Sequence, residues 1–228
     1  MYKFTVERGG RRKTVAVIIT PENKIQVKIP RSFPEGKIPH ILEKKRRWIE
    51  KTFRFNREVR RPYVPKRFLE GERFLFLGSS YGLRFAAGEV SPHIDSQKNL
   101  LVYLPEERRP DRDFVQKEVS GWYREQARRV LIPRCAEYAR RIRVAMPDIR
   151  IKSLTRSWGR CSAAGKISFA WNIVMAPLFI VDYIVVHELC HLQHLNHSPR
   201  FWREVAAYSP RFRECREWIR VHQGMLRF

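Results

Sequence analysis

The chain is short of acidic residues, of glycine and of long apolar runs, and its cysteines stand apart. Among 228 residues there are 23 Asp and Glu against 46 Lys and Arg, a formal net charge of +23. Only 11 residues are Gly, while 43% are hydrophobic and 12% aromatic, which excludes a disordered polycation and a fibrous repeat. No run of 18 apolar residues occurs, so no membrane-spanning helix is expected. The segment MYKFTVERGGRRK has no apolar core of the signal-peptide kind. Cysteines at 135, 161, 190 and 215 form no CxxC pair, against both a four-cysteine zinc ribbon and a disulfide scaffold. A reduced, cytoplasmic protein is the expectation, and a chain of this length buries a core without staples.

The positive charge is not a tail. Residues 1–114 carry 26 basic and 14 acidic side chains, and residues 115–228 carry 20 and 9. A field of that sign favours nucleic acid, nucleotides, an anionic membrane or acidic proteins as neighbours. Its densest stretch is 44–67, with 11 basic residues against Glu50 and Glu58. Lys44, Lys45, Arg46 and Arg47 open it, and Arg54, Arg57, Arg60 and Arg61 continue it. Trp48, Phe53, Phe55 and Tyr63 are interleaved. Basic side chains with aromatics between them are candidate phosphate and base contacts, and equally a solvated helix face whose aromatics fill a core.

The pattern along the chain is α+β. Residues 13–19 and 25–29 read as strands around a turn cluster at Thr20–Lys24, followed by a helix over about 36–56. Short strands return over 72–104, so residues 1–110 read as a mostly antiparallel, β-rich region with one helix. Residues 111–228 read as a helical and metal-binding core, continuous with the first region or separate from it. Asp111 or Asp113 is a candidate N-cap for a helix over 114–143, where Pro133 marks a break or kink. Strands at 149–157 and 166–171 precede an apolar helix from about Leu178 to Leu195, then helices near 199–207 and 211–223.

The chemistry is concentrated in HELCHLQHLNH. His187-Glu188-Leu189-Cys190-His191 is an HExxH motif, whose histidines lie four apart on one helical face and reach a single ion. Zinc suits such a pair, and Glu188 is placed as general base for a water at the open position. His197, ten residues after His187 and beyond a helix end expected near Asn196, supplies a third ligand at the spacing that metzincin sites use. His194 occupies the place of the metzincin glycine, so that family is not implied. In a shuffled chain of this composition, HExxH with a histidine at that tenth position arises roughly once in two thousand. Arg156, Arg160 and Tyr183 are candidate substrate or oxyanion contacts.

WGRCSAAGKISFAWNIVMAP followed by DYIVVHELCHLQHLNHSPRFW closely resembles the YgjP-like metallopeptidase family. The matching positions are Trp158-Gly159, Cys161-Ser162, Gly165, Ile167, Pro177, the HExxH helix, Asn196-His197-Ser198 and Phe201-Trp202. Arg160 stands where the family's turn carries a small residue. The resemblance implies a zincin-like C-terminal core with one zinc ion on His187, His191 and His197, and Glu188 as the catalytic acid and base. It implies a polypeptide substrate. An anionic small molecule such as a nucleoside triphosphate, cleaved by a pyrophosphatase-type reaction, is the alternative. A nucleic-acid-binding module with structural zinc is the third reading, which Glu188 argues against. The 166–171 strand is a candidate edge for substrate backbone and equally an ordinary sheet strand, and Trp158-Gly159 reads as a tight turn under the site. The sequence assigns no oligomeric state.

Overall fold

The computed structural model describes residues 2–10, 12–59, 63–88, 91–104 and 111–227. The chain divides into two compact units: Met1–Tyr63 with Arg220–Met225, and Val64–Ile219 with Leu226–Phe228. Both mix helix and strand.

In the first unit, β2 (Ala16–Ile19) and β3 (Ile25–Pro30) form the hairpin around Thr20–Lys24. A further strand, β1 (Phe4–Gly9), runs parallel to β3 on its other side. It escapes a hydrophobic-pattern reading because Glu7 and Arg8 sit in it and it is mostly half-buried or exposed. β3 alternates strictly, so Ile25, Val27 and Ile29 face a small core with Ile38, Leu42 and Ile49. The single helix expected over 36–56 is two, α1 (Ile38–Lys44) and α2 (Arg46–Glu58), because Lys45 leaves helical geometry at φ −96°, ψ 6°. Asn56 Nδ2 donates to Thr20 O (3.0 Å) and Asn23 Oδ1 (2.9 Å), tying α2 to the hairpin turn.

The second unit opens with β4 (Arg73–Phe76), β5 (Ser79–Ala87), β6 (His93–Ile94) and β7 (Asn99–Leu104), in spatial order β4-β5-β7-β6. β5 and β7 are parallel and the other neighbours antiparallel. The sequence grouped these strands with the N-terminal region. Their apolar residues Phe74, Leu83, Leu100 and Val102 instead join the second unit's core with α3 (Arg112–Ile142). Asp111 is the N-cap of α3, accepting from Phe114 N at 2.8 Å. The helix continues through Pro133, which is exposed. There, the carbonyl that loses its amide partner is open to water, so the proline does not end the helix.

The second sheet of this unit has the order β8-β10-β9, from β8 (Ile149–Lys152), β9 (Gly159–Cys161) and β10 (Ile167–Ala170). β10 is therefore the middle strand rather than an edge, parallel to β8 and antiparallel to β9. α4 (Leu178–Cys190), α5 (Pro199–Tyr208) and α6 (Phe212–His222) follow. α4 buries Ile180, Val181, Tyr183, Ile184, Val185, Val186 and Leu189, which is apolar cover on nearly every side. Arg134 of α3 grips Asp182 of α4 with both ends of its guanidinium, Nε donating at 2.6 Å. No described helix is long and apolar enough to cross a membrane.

The turn between β4 and β5 seats the start of α4. Leu77 (φ 47°) and Gly78 (φ 81°) both take left-handed geometry, as in the tight hairpin turns that match strand twist. Leu77 N donates to Val174 O (2.7 Å) and Gly78 N to Met175 O (3.2 Å), in the short 3₁₀ segment before Pro177. A Cβ on Gly78 would stand 2.9 Å from Pro177 Cγ. Gly78→Ala should therefore cost about 1–3 kcal/mol. A lowered urea midpoint with an unchanged slope is the expected reading.

Candidate metal centre

α4 ends earlier than the hydrophobic run suggests, at Cys190, with His191 as its C-cap. The chain then tightens: His191 N bonds Glu188 O (3.2 Å), Leu192 N bonds Leu189 O (3.0 Å) and Gln193 N bonds Cys190 O (3.2 Å). These shorter-range bonds use carbonyls left open at the helix end. Beyond them, Asn196 Oδ1 accepts from Ser198 N at 3.1 Å, and Ser198 caps α5 through Phe201 N at 3.4 Å. This returning turn brings His197 back over α4.

His187, His191 and His197 each offer a ring nitrogen within 4.8 Å of the others. His187 Nε2 and His197 Nε2 are 3.1 Å apart. Tetrahedral ligands at 2.0–2.1 Å from one zinc ion stand about 3.3 Å apart, so the spacing fits a shared ion. The protonation pattern fits as well. His191 Nδ1 lies 2.9 Å from His194 O, and a carbonyl only accepts, so Nδ1 donates there and Nε2 is the nitrogen left to meet an ion. Burial, then the charges of His191, His197 and Arg216, lowers His187 to about 3; burial, His191 and Arg216 lower His197. Neutral imidazole is the form that binds metals. His187 Nδ1 is buried with no hydrogen-bond partner among the described residues.

Phe201, fully buried, forms the floor. Its ring centroid is 5.0 Å from His187, 4.5 Å from His191 and 4.8 Å from His197. Trp202 stacks on His197 at 5.5 Å and 22°. His194 contributes its carbonyl rather than its ring, which instead pairs with Glu204 at 2.5 Å.

Glu188 is 5% exposed, and burial raises its carboxyl to about 7, against the opposing effect of a hydrogen bond from the Cys161 backbone amide. The partner segment is β9. A Cβ built on Gly159 would fall 2.5 Å from Glu188 Cγ and 2.6 Å from its Oε1. Gly159, directly after a bend at Trp158, opens the edge strand β9 against which the carboxyl packs, and glycine is what lets the two meet.

Of the other expected contacts, Tyr183 lies buried beside His187, ring centroids 5.9 Å apart, its hydroxyl pushed up to about 12 by burial. Arg160 alternates with Gly159 and Cys161, so its side chain leaves β9 on the opposite side from Glu188. Arg156 is exposed between β8 and β9. Sequence reading missed Arg216 on α6, whose guanidinium lies 4.6 Å over the Trp202 ring. Nothing in the sequence separates it from the other arginines. Lys44, Lys45, Arg46, Arg47, Arg54 and Arg57 are exposed in the first unit, and Arg60 and Arg61 fall outside the described residues.

The Gly159 contact makes a prediction that needs no turnover. Gly159→Ala should destabilise the protein by about 1–3 kcal/mol, and Glu188→Ala should remove that cost. A urea double-mutant cycle measures it; additive costs would mean that the two positions do not press on each other.

A comparison with solved structures finds the metallopeptidase zymogen abylysin of Pyrococcus abyssi. It is 29% identical over 42% of this chain and 88% of that one, with a TM-score of 0.32. Among curated proteins none matches. The YgjP-like, metallopeptidase domain matches residues 13–222, a span that takes in all three histidines, Glu188, β9 and Arg216. The chain belongs to the YgjP-like metallopeptidases, a family of metal-dependent hydrolases.

Proposed function

We infer that the protein is a zinc-dependent peptidase in which His187, His191 and His197 hold one ion and Glu188 is the general base. The observation that carries this reading is the meeting of three histidine ring nitrogens, within 4.8 Å of each other, beside a buried carboxyl on α4. When bound, zinc supplies Lewis acidity, polarising a carbonyl oxygen and making water acidic enough to lose a proton near neutral pH.

The chain's own residues do the rest. Glu188 takes the proton from the attacking water at a carboxylate oxygen and delivers it to the leaving nitrogen. Burial sets its carboxyl near 7, where it accepts and gives a proton with similar ease, and a neighbouring dication favours the ionised form. The Cys161 amide fixes the direction of that carboxyl. β9 has one edge free of β10, and a peptide added along that edge would lie against the strand that holds the base. Phe201 and Trp202 keep the imidazoles in one orientation and exclude water from below.

One observation speaks for an anionic substrate instead. The charge of Arg216 reaches Tyr183, His187 and His197, as its effect on all three shows, and a guanidinium there suits a phosphate or carboxylate. A single set of assays separates the two: the zinc-loaded protein with casein, and with nucleoside triphosphates. Glu188→Gln should keep about one zinc per chain by elemental analysis and lose casein cleavage by about 100-fold or more. His191→Ala should lose the zinc itself. Phosphate or pyrophosphate release without proteolysis would replace the peptidase reading, and full activity in Glu188→Gln would remove the base assignment.

A further inference from the structure

The basic stretch 44–67 is not uniform once folded. Its aromatic residues part company: Phe55 is buried, Phe53 is half-buried against the small core, and Trp48 stands 45% exposed on α2. Its cations part company too. Arg46 is occupied by Glu50 at 2.9 Å and Glu43 at 3.6 Å. Lys66 is occupied by the Arg73 carbonyl at 2.6 Å and by the Phe74 ring. Arg47, Lys51 and Arg54 are exposed, and none of them is in an ion pair among the described residues.

Those three sit at i, i+4 and i+7, one stripe of α2 about 10 Å long. Trp48 flanks the stripe, with Lys45 Nζ 5.8 Å from its ring. Glu58, one turn beyond Arg54, ends it. Three unneutralised cations in line, with a flat exposed ring at their side, match a strand that carries a phosphate every few ångströms and offers bases for stacking. A duplex hides its base faces, so the ring favours a single strand. A membrane-surface helix needs a broad apolar face, and the other apolar residues of this helix are turned into the core.

We propose that this face of α2 binds single-stranded nucleic acid, with Arg47, Lys51 and Arg54 on neighbouring phosphates and Trp48 stacked on a base. The probe is fluorescein-labelled oligothymidylate, titrated with the full chain by fluorescence anisotropy at several salt concentrations, a measurement independent of any peptidase turnover. Three phosphate contacts give log Kobs against log salt a slope of about −2. The triple variant R47Q/K51Q/R54Q should flatten that slope toward zero. Trp48→Ala should weaken binding by about 5–150-fold at every salt concentration with the slope kept, and Trp48→Phe should recover most of the loss. R128Q/R129Q/R140Q removes the same charge from exposed positions of α3 and should leave binding intact. Circular dichroism confirms that each variant is folded. Equal loss in the α3 control, no effect of Trp48→Ala, or equal affinity for the matching duplex overturns the proposal. Equal, α2-dependent binding to equimolar phosphatidylglycerol–phosphatidylcholine vesicles replaces it with a membrane surface.

Discussion

A carboxyl group buried on the helix that carries two of three clustered histidines is the arrangement on which the second unit is organised. Taking a carboxylate out of water is costly unless something answers its charge. Here the described protein answers it with a single backbone amide, that of Cys161. Everything around Glu188 serves that placement. α4 is apolar on nearly all sides, so it lies inside the fold, and Arg134 locks it to α3. The β4–β5 turn sets its beginning, and β9 passes close enough to touch Glu188 only because residue 159 has no Cβ.

The part of the site that was legible in the sequence is the part carried by helical spacing. His187, Glu188 and His191 follow from a period of 3.6. The helix end was misread because hydrophobic pattern does not register a switch to shorter-range hydrogen bonds at His191–Gln193. A bend does stand at Trp158, but the close approach at Gly159 was not legible, because only the neighbouring chain shows what a glycine's missing side chain makes room for. β10 looked like an edge because its edge partner, β9, is three residues long and carries Arg160 at its centre. Arg216 was invisible, since its place depends on how α6 lies against Trp202. In the fold, the α+β character and most elements could be read, whereas the parallel pairings β1–β3, β5–β7 and β8–β10 could not, because long-range pairing leaves no local pattern.

A shortage of acidic residues shapes the surface as well. With half as many acids as bases, arginines also lie over aromatic rings, some beside a carboxylate, as Arg134, Arg141 and Arg211 do, and some, as Arg124 and Arg216, with no ion pair among the described residues. Arg124 covers Trp171, Arg134 and Arg141 flank Tyr138, Arg211 covers Phe179, and Arg216 covers Trp202. Such contacts shield ring edges of the core while the charge stays hydrated. Much of the net +23 is thus built into the packing. The cations of α2 stand out because their exposed ring sits beside them rather than beneath them.

The turn from Cys190 to His197 gives the histidine spacing a meaning beyond ligand geometry. His191 hands its Nδ1 proton to the carbonyl three residues ahead, in the same turn that swings His197 back. The orientation of one imidazole and the return of another are therefore counted out by the same few peptide units. A single-residue insertion or deletion between 191 and 197 would upset both at once, while a change of side chain at exposed Leu195 need upset neither. Positions such as Leu195 should tolerate substitution while the stretch as a whole resists change in length, so exposed residues in it can drift while its number of residues stays fixed.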